Sequence, residues 1–332
     1  MHKSMFEEVI SVENLLEAWR EFLNGKRNKP DVQEFSLRLM DHILALHREL
    51  VNHTYKHGDY FAFNISDPKP RSIHKACVRD RLLHHAIYRV LYPHFDRKFI
   101  SDSFSCRLNK GTHKAVNRFR TFAYKVSKNN TKQCWVLKCD VRKFFASVDH
   151  KILLDILGRH LDKGTLWLCE KVIASFETAL GKGLPLGNLT SQIFANVYMN
   201  ELDQYVKHRL REKYYIRYAD DFVVFSSNKK YLEEILLRVG EFLEGRLRLK
   251  FHEDKVFIKT VGSGVDFLGW VNFPSHRVLR TVTKKRMIKR IQESSVPETL
   301  NSYLGLLKHG NTKRLEKEIC LKVAQVREIE DL

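Results

Sequence analysis

A chain of 332 residues, 43% of them hydrophobic, can bury a large core and is long enough for about two or three domains, which excludes a disordered chain. It carries 58 Lys and Arg against 39 Asp and Glu, and the net charge of +19 is spread along the whole length, so a polyanion such as nucleic acid is the expected partner. No apolar run approaches the roughly 18 residues of a membrane span, Met1 to Glu8 lacks an apolar signal region, and the six scattered cysteines form no Cys-x-x-Cys, so no membrane span, secretion signal or zinc site is expected.

The first 58 residues read as helical. Ser11 is placed to cap a helix that carries Leu15, Leu16, Trp19, Phe22 and Leu23 on one face. Phe35, Leu39, Ile43, Leu46 and Leu50 recur at helical spacing in a second. Between Asp59 and Ile73 short alternating pieces predict a hairpin. Its tip and return strand carry Lys69 and Arg71, two cations that suit either a triphosphate or a solvated basic turn. The next helix buries Leu82, Leu83, Ala86, Ile87, Val90 and Leu91 and leaves His84 and His85 facing solvent or nucleic acid. A polar loop from Ser103 to His113 leads into a helix capped by Thr112, with Val116, Phe119, Ala123 and Val126 inward.

Trp135 to Leu137 reads as a core strand with Asp140 at its end, followed by a helix bearing Ile152, Leu153, Ile156 and Leu157. Gly181 to Gln192 is a glycine-rich loop that opens a long helix through Phe194, Val197, Leu202, Tyr205 and Leu210. Backbone in such a loop can approach a nucleotide closely, although no Gly-Lys-Ser/Thr ends it and it is not a P-loop. From Tyr214 to Ser227 aromatic and β-branched residues flank Asp220 and Asp221, the pattern of strand, turn, strand. Leu232, Ile235, Leu236, Val239, Phe242 and Leu243 then mark a helix, and Leu247, Leu249 and Phe251 alternate as a strand. Val256 to Lys259 and Val265 to Phe273 supply further strands, and from Thr281 the chain reads as helical and basic.

Asp140, Asp220 and Asp221 all fall at strand ends or turns beside apolar sheet, where a carboxylate is costly unless something positive neutralises it. Mg²⁺, a hard cation that prefers oxygen, fits that need, and three such acids can converge on two ions for in-line phosphoryl transfer. A turn cap at residue 140 and a solvated tip at 220–221 are the alternatives while the residues are taken singly. Helices interleaved with a few mainly antiparallel strands make the fold class α+β.

The ordered set Arg71, Asp80-Arg81, Ser103-Phe104, Arg107, Asp140-x-x-x-x-Phe145, Gly187-x-x-x-Ser191, Tyr218-Ala219-Asp220-Asp221, Lys255 and Phe267-Leu268-Gly269-Trp270 resembles the motifs of reverse transcriptases over roughly residues 60–310. The resemblance implies a right-hand polymerase with fingers, palm and thumb. Its domains would be a helical N-terminal extension over 1–58, fingers over 59–133, palm over 134–150 and 186–273, and a helical thumb over 274–332, with 151–185 shared between fingers and palm. It implies metal binding by Asp140, the Val141 carbonyl, Asp220 and Asp221, two Mg²⁺ ions as cofactors, and Lys255 as a proton donor to pyrophosphate. By the same resemblance Lys69 and Arg71 hold the triphosphate, Phe145 lies below the sugar, Leu186, Gly187 and Gln192 flank the nascent pair, and Phe267 to Trp270 grip the primer.

Within that family, Leu186-Gly187 with Ser191-Gln192, and the stretch Ser302-Tyr303-Leu304-Gly305 with Lys308-His309, resemble the enzymes of diversity-generating retroelements. That implies an RNA-directed DNA polymerase that copies a template-repeat RNA into cDNA with errors opposite adenine, for mutagenic retrohoming into a target gene. The expected partners are template RNA, the RNA/cDNA hybrid, deoxynucleoside triphosphates and a basic accessory protein, with an oligomer left open. The expected setting is a bacterial or phage-encoded cytoplasmic enzyme without an RNase H or endonuclease domain after the thumb. A group II intron-like or phage-defence enzyme is one competing reading, and a non-catalytic RNA-binding scaffold is another.

Overall fold

The computed structural model describes residues 3–66, 70–293 and 297–319. Four helices come first, α1 (Met5–Ile10), α2 (Val12–Phe22), α3 (Pro30–Leu37) and α4 (Leu39–Val51), where the sequence predicts two. Ser4 and Glu7 close a capping box on α1, and the Ser11 hydroxyl accepts from the Asn14 N–H to start α2 as expected. The backbone at Arg38, φ −126° and ψ 39°, breaks the second expected helix between Phe35 and Leu39.

β1 (Tyr60–Ile65) and β2 (Arg71–Ala76) pair as the predicted antiparallel hairpin. α5 (Val78–Asp96) buries the six predicted apolar residues. The N-terminal helices and the later helix Leu189–Gln204 also pack on it, so His84 is fully buried beside His57 and His85 stands edge-on to Phe22. This corrects the expectation that both histidines face outward, because a helix packed from several sides hides residues that a one-face reading leaves exposed. α6 (Thr112–Val126) is capped by Gly111 at φ 97° rather than by Thr112, whose hydroxyl donates instead to the Tyr218 hydroxyl at 3.2 Å.

β3 (Trp135–Asp140), α7 (Phe144–Ser147), α8 (His150–Gly158), α9 (Lys163–Ile173), α10 (Leu189–Gln204), β4 (Tyr215–Tyr218), β5 (Asp221–Ser226), α11 (Lys229–Leu247) and β6 (Phe257–Thr260) build the centre. The strands lie in the order β4-β5-β3-β6, each pair antiparallel. The strand expected over 247–251 does not form. α11 instead runs on to Leu247, and only Phe251 makes a bridge, to Val141. Continuing the helix by four residues keeps Leu247 on the face of Leu243, and both are buried in one cluster.

Strand alternation gives the sheet two apolar faces. Leu137, Cys139, Phe222 and Val224 join the cluster built with α5, α8, α10 and α11. Val136, Ile216, Val223 and Phe225 join a second cluster with α6 and the C-terminal elements. Those elements are the antiparallel sheet of β7 (Val265–Phe267), β8 (Trp270–Asn272) and β9 (Arg277–Leu279), then α12 (Thr281–Glu293), α13 (Pro297–Leu307) and a helical stretch over 313–319. β9 continues this sheet past residue 273. Among the described residues no helix is long and apolar enough to cross a membrane.

Candidate active site

β4 and β5 are joined by Ala219 and Asp220, with Ala219 at φ 55°. A left-handed alanine costs about 1–2 kcal/mol, so the turn needs support from its surroundings. The register places Asp140, last in β3, directly opposite Asp221, first in β5. The two carboxylates therefore leave the same face at one end of the sheet, with Asp220 in the adjoining turn. The Val141 N–H donates to the Asp220 carbonyl at 3.3 Å and ties the end of β3 to that turn.

Two of the three acids are shifted by their surroundings. Burial pushes the Asp220 carboxyl up, the Asp140 charge adds to the push, and Lys255 and Arg71 oppose it. Burial pushes Asp221 up to about 7 against the pull of Lys138. Asp221 Oδ1 is buried without a hydrogen-bond partner, while Oδ2 stands 3.2 Å from Lys138 Nζ. Lys255 Nζ donates to Asp140 Oδ1 at 2.8 Å. Among the described residues no three carboxylate, imidazole or thiolate groups are grouped to hold a metal as they stand, and two of these acids are turned towards lysines. The donor set still fits a hard divalent cation, because it offers mutually repelling carboxylates and one bare, buried oxygen.

The glycine loop docks on β2. The Leu186 carbonyl accepts from the His74 N–H and Asn188 Nδ2 donates to the His74 carbonyl, both at 2.9 Å. Gly187, at φ 107°, lies so close to β2 that an added Cβ would stand 2.8 Å from Ile73 Cγ2. Asp220 feels the charge of the exposed Arg71, first residue of that strand. Gln192 is half-buried in the first turn of α10. Phe145 is half-buried in α7, and its carbonyl accepts from the Leu184 N–H at 2.7 Å. Lys69 lies outside the described residues. Phe267 and Trp270 are buried, and the two-residue turn between them has Leu268 at φ 52° and Gly269 at φ 85°. Phe267 reaches the central four-stranded sheet through an apolar stack, 5.6 Å from the Phe119 ring, which is 4.7 Å from Phe225 of β5.

Residues 63–271 match the family model described as reverse transcriptase (RNA-dependent DNA polymerase). The chain belongs to the reverse transcriptase family. Protein YkfC of Escherichia coli K12 is 26% identical over 285 residues, 73% of this chain and 72% of that protein. The putative COX1/OXI3 intron 2 protein of Saccharomyces cerevisiae is 24% identical over 209 residues, 43% of this chain and 24% of that protein. Telomerase from Candida albicans, solved with a TWJ fragment of telomeric RNA, superposes with a TM-score of 0.52 at 13% identity, covering 81% of this chain and 55% of that one. Apo telomerase from Candida tropicalis gives a TM-score of 0.53 at 11% identity, covering 68% and 49%. The fold is thus that of a right-hand polymerase, and the chain spans about half the length of those telomerases.

Two residues of this reverse transcriptase escape a motif-by-motif reading. Lys138 reaches Asp221 from β3, where it is two residues before Asp140 and so on the same face. That spacing is the signal by which it is found. Arg217 of β4 is fully buried beneath the turn of Ala219 and Asp220. Its Nε and Nη2 each reach an Asp203 oxygen at 2.7 Å, Nη1 reaches Asn196 Oδ1 at 3.3 Å and the Ala219 carbonyl at 3.0 Å, and Nη2 also reaches Ser103 Oγ at 3.1 Å. All five guanidinium donors are used, and one of them props the strained alanine of the turn. Asp203 also accepts from the Tyr215 hydroxyl at 2.8 Å. An arginine one residue before Tyr218-Ala219-Asp220-Asp221 is visible in the chain, but its partner on α10 is not.

Proposed function

We propose that this reverse transcriptase copies RNA into DNA at the site formed by Asp140, Asp220 and Asp221. The observation that carries the reading is the register that sets Asp140 against Asp221 beside the turn bearing Asp220. The acids, with the Val141 carbonyl, would hold two Mg²⁺ ions, which when bound supply a lowered pKa at the primer 3′-hydroxyl and neutralisation of the triphosphate. Asp221 would contribute the bare Oδ1. Arg71, with Lys69, would clamp the triphosphate. Lys255, already on Asp140, would shift its ammonium to the leaving pyrophosphate and donate a proton there. Phe145 would form the floor under the sugar, Leu186, Gly187 and Gln192 would flank the nascent pair, and the turn from Phe267 to Trp270 would hold the primer end. Residues 59–133 would act as fingers, 134–150 and 186–273 as palm, and 274–332 as thumb, with template and hybrid along the basic surface.

The finer reading is a diversity-generating enzyme that copies a template-repeat RNA with a basic accessory protein and misincorporates opposite adenine. Leu186 supports it physically, since a leucine side chain offers no hydrogen bond to check the nascent pair. The intron 2 protein among the relatives favours a second reading, an intron-like enzyme of ordinary fidelity.

The test is deoxynucleotide incorporation on a primed, adenine-containing RNA in Mg²⁺, with the products sequenced. Asp220→Asn/Asp221→Asn is the inactive control. Incorporation by wild type alone is expected, with errors concentrated at template adenines and reduced by Leu186→Gln. Evenly faithful copying would move the reading to the intron-like enzyme. Equal incorporation by the Asp220→Asn/Asp221→Asn control would refute catalysis at this site.

A further inference from the structure

We propose that Lys138 is a built-in counter-cation that holds down this site's own affinity for divalent metal, so that metal binds firmly only together with the incoming triphosphate. The inference rests on the polymerase reading above. The register sets Lys138 opposite Val223 on one side and Phe257 on the other. Its ammonium is walled in there, with the side chain 11% exposed, Nζ 3.2 Å from Asp221 Oδ2 and 6.0 Å from the Phe257 ring centroid. Lys255 differs in kind. It sits on the short 3₁₀ turn Glu253–Lys255, its side chain is 35% exposed, and it approaches Asp140 from the open side.

A metal can therefore take the place of Lys255, whereas Lys138 stays beside Asp221. An ammonium at that distance cancels most of the field of the carboxylate it faces. It also occupies Oδ2 and leaves Asp221 one oxygen to offer. Three acids set against two lysines make a weak site for a dication. The phosphates of a bound nucleotide supply the missing negative charge and oxygen ligands, in keeping with the habit of Mg²⁺ of binding through one or two carboxylates plus substrate phosphate.

The test is calorimetric titration of Mn²⁺ into the full chain, with and without a non-hydrolysable deoxynucleoside triphosphate. Lys138→Met keeps the length and removes the charge. It is expected to tighten Mn²⁺ binding about tenfold or more without nucleotide, and by less with it. Unchanged or weaker binding by Lys138→Met overturns the inference, and the polymerase reading stands if wild type binds Mn²⁺ with nucleotide present. No binding by wild type even with nucleotide overturns both. Should Lys138→Met fail to fold, wild type is compared with Lys138→Gln, which removes the charge and keeps a polar group facing Asp221 Oδ2. The same tightening is expected between those two, and its absence overturns the inference.

Discussion

Arg217→Met removes a guanidinium that is fully buried and makes all five of its hydrogen bonds inside the protein. Asp203, itself fully buried, is left with the Tyr215 hydroxyl as its remaining partner from this group. Stranding one member of a buried pair costs about 3–5 kcal/mol, so chemical denaturation should show a loss of that size. Replacing both partners by apolar residues, Arg217→Met/Asp203→Leu, strands no charge and should recover most of the stability. Activity should not recover with it. The Ala219 carbonyl and Ser103 hydroxyl lose their donor in both variants, and Ala219 is the left-handed residue beside Asp220. A shift of about 1 Å in a reacting group costs on the order of a hundredfold in rate, so single-nucleotide incorporation should stay down by about that factor in the double variant. A stability loss under about 1 kcal/mol in Arg217→Met, or full activity in the double variant, would refute the role assigned to this network.

Gly187→Ala places a methyl against Ile73 at a backbone φ of 107°, a conformation that alanine resists. Destabilisation of roughly 1–3 kcal/mol is expected, together with a raised KM for nucleotide, because the loop that seats β2 is pushed off it. An unchanged KM would separate the loop from nucleotide binding. The His84 imidazole is held down to about 3 by burial first and by His57 next, so the folded protein keeps it neutral. The unfolded chain takes up that proton below about pH 6.5, so stability is full above that pH and falls as the pH drops towards 3. Between pH 7 and 5.5 the loss from this group is roughly 1 kcal/mol. The melting temperature should fall over that range, and His84→Phe should flatten the fall; identical pH profiles would assign the acid sensitivity elsewhere.

The chain by itself was enough to pick out the three acids of the candidate site. Asp140 at the end of one apolar run and Asp220-Asp221 between two others are local facts, because a strand alternates within a few residues and a turn interrupts it at once. The hairpin of residues 60–76, the inward face of α6 and the Ser11 cap were legible for the same reason. What failed locally failed where burial came from distant segments. His84 is hidden because several elements share α5, and Leu247 stays helical because its burial partners lie in the core. The pairing of Asp140 with Asp221, the seat of Gly187 on Ile73, the Lys138–Asp221 contact and the Arg217–Asp203 brace were decided only by tertiary structure. Each joins residues whose spacing along the chain carries no period. Sheet register and helix packing bring them together, and those follow from how the whole core closes, which no short window of sequence contains.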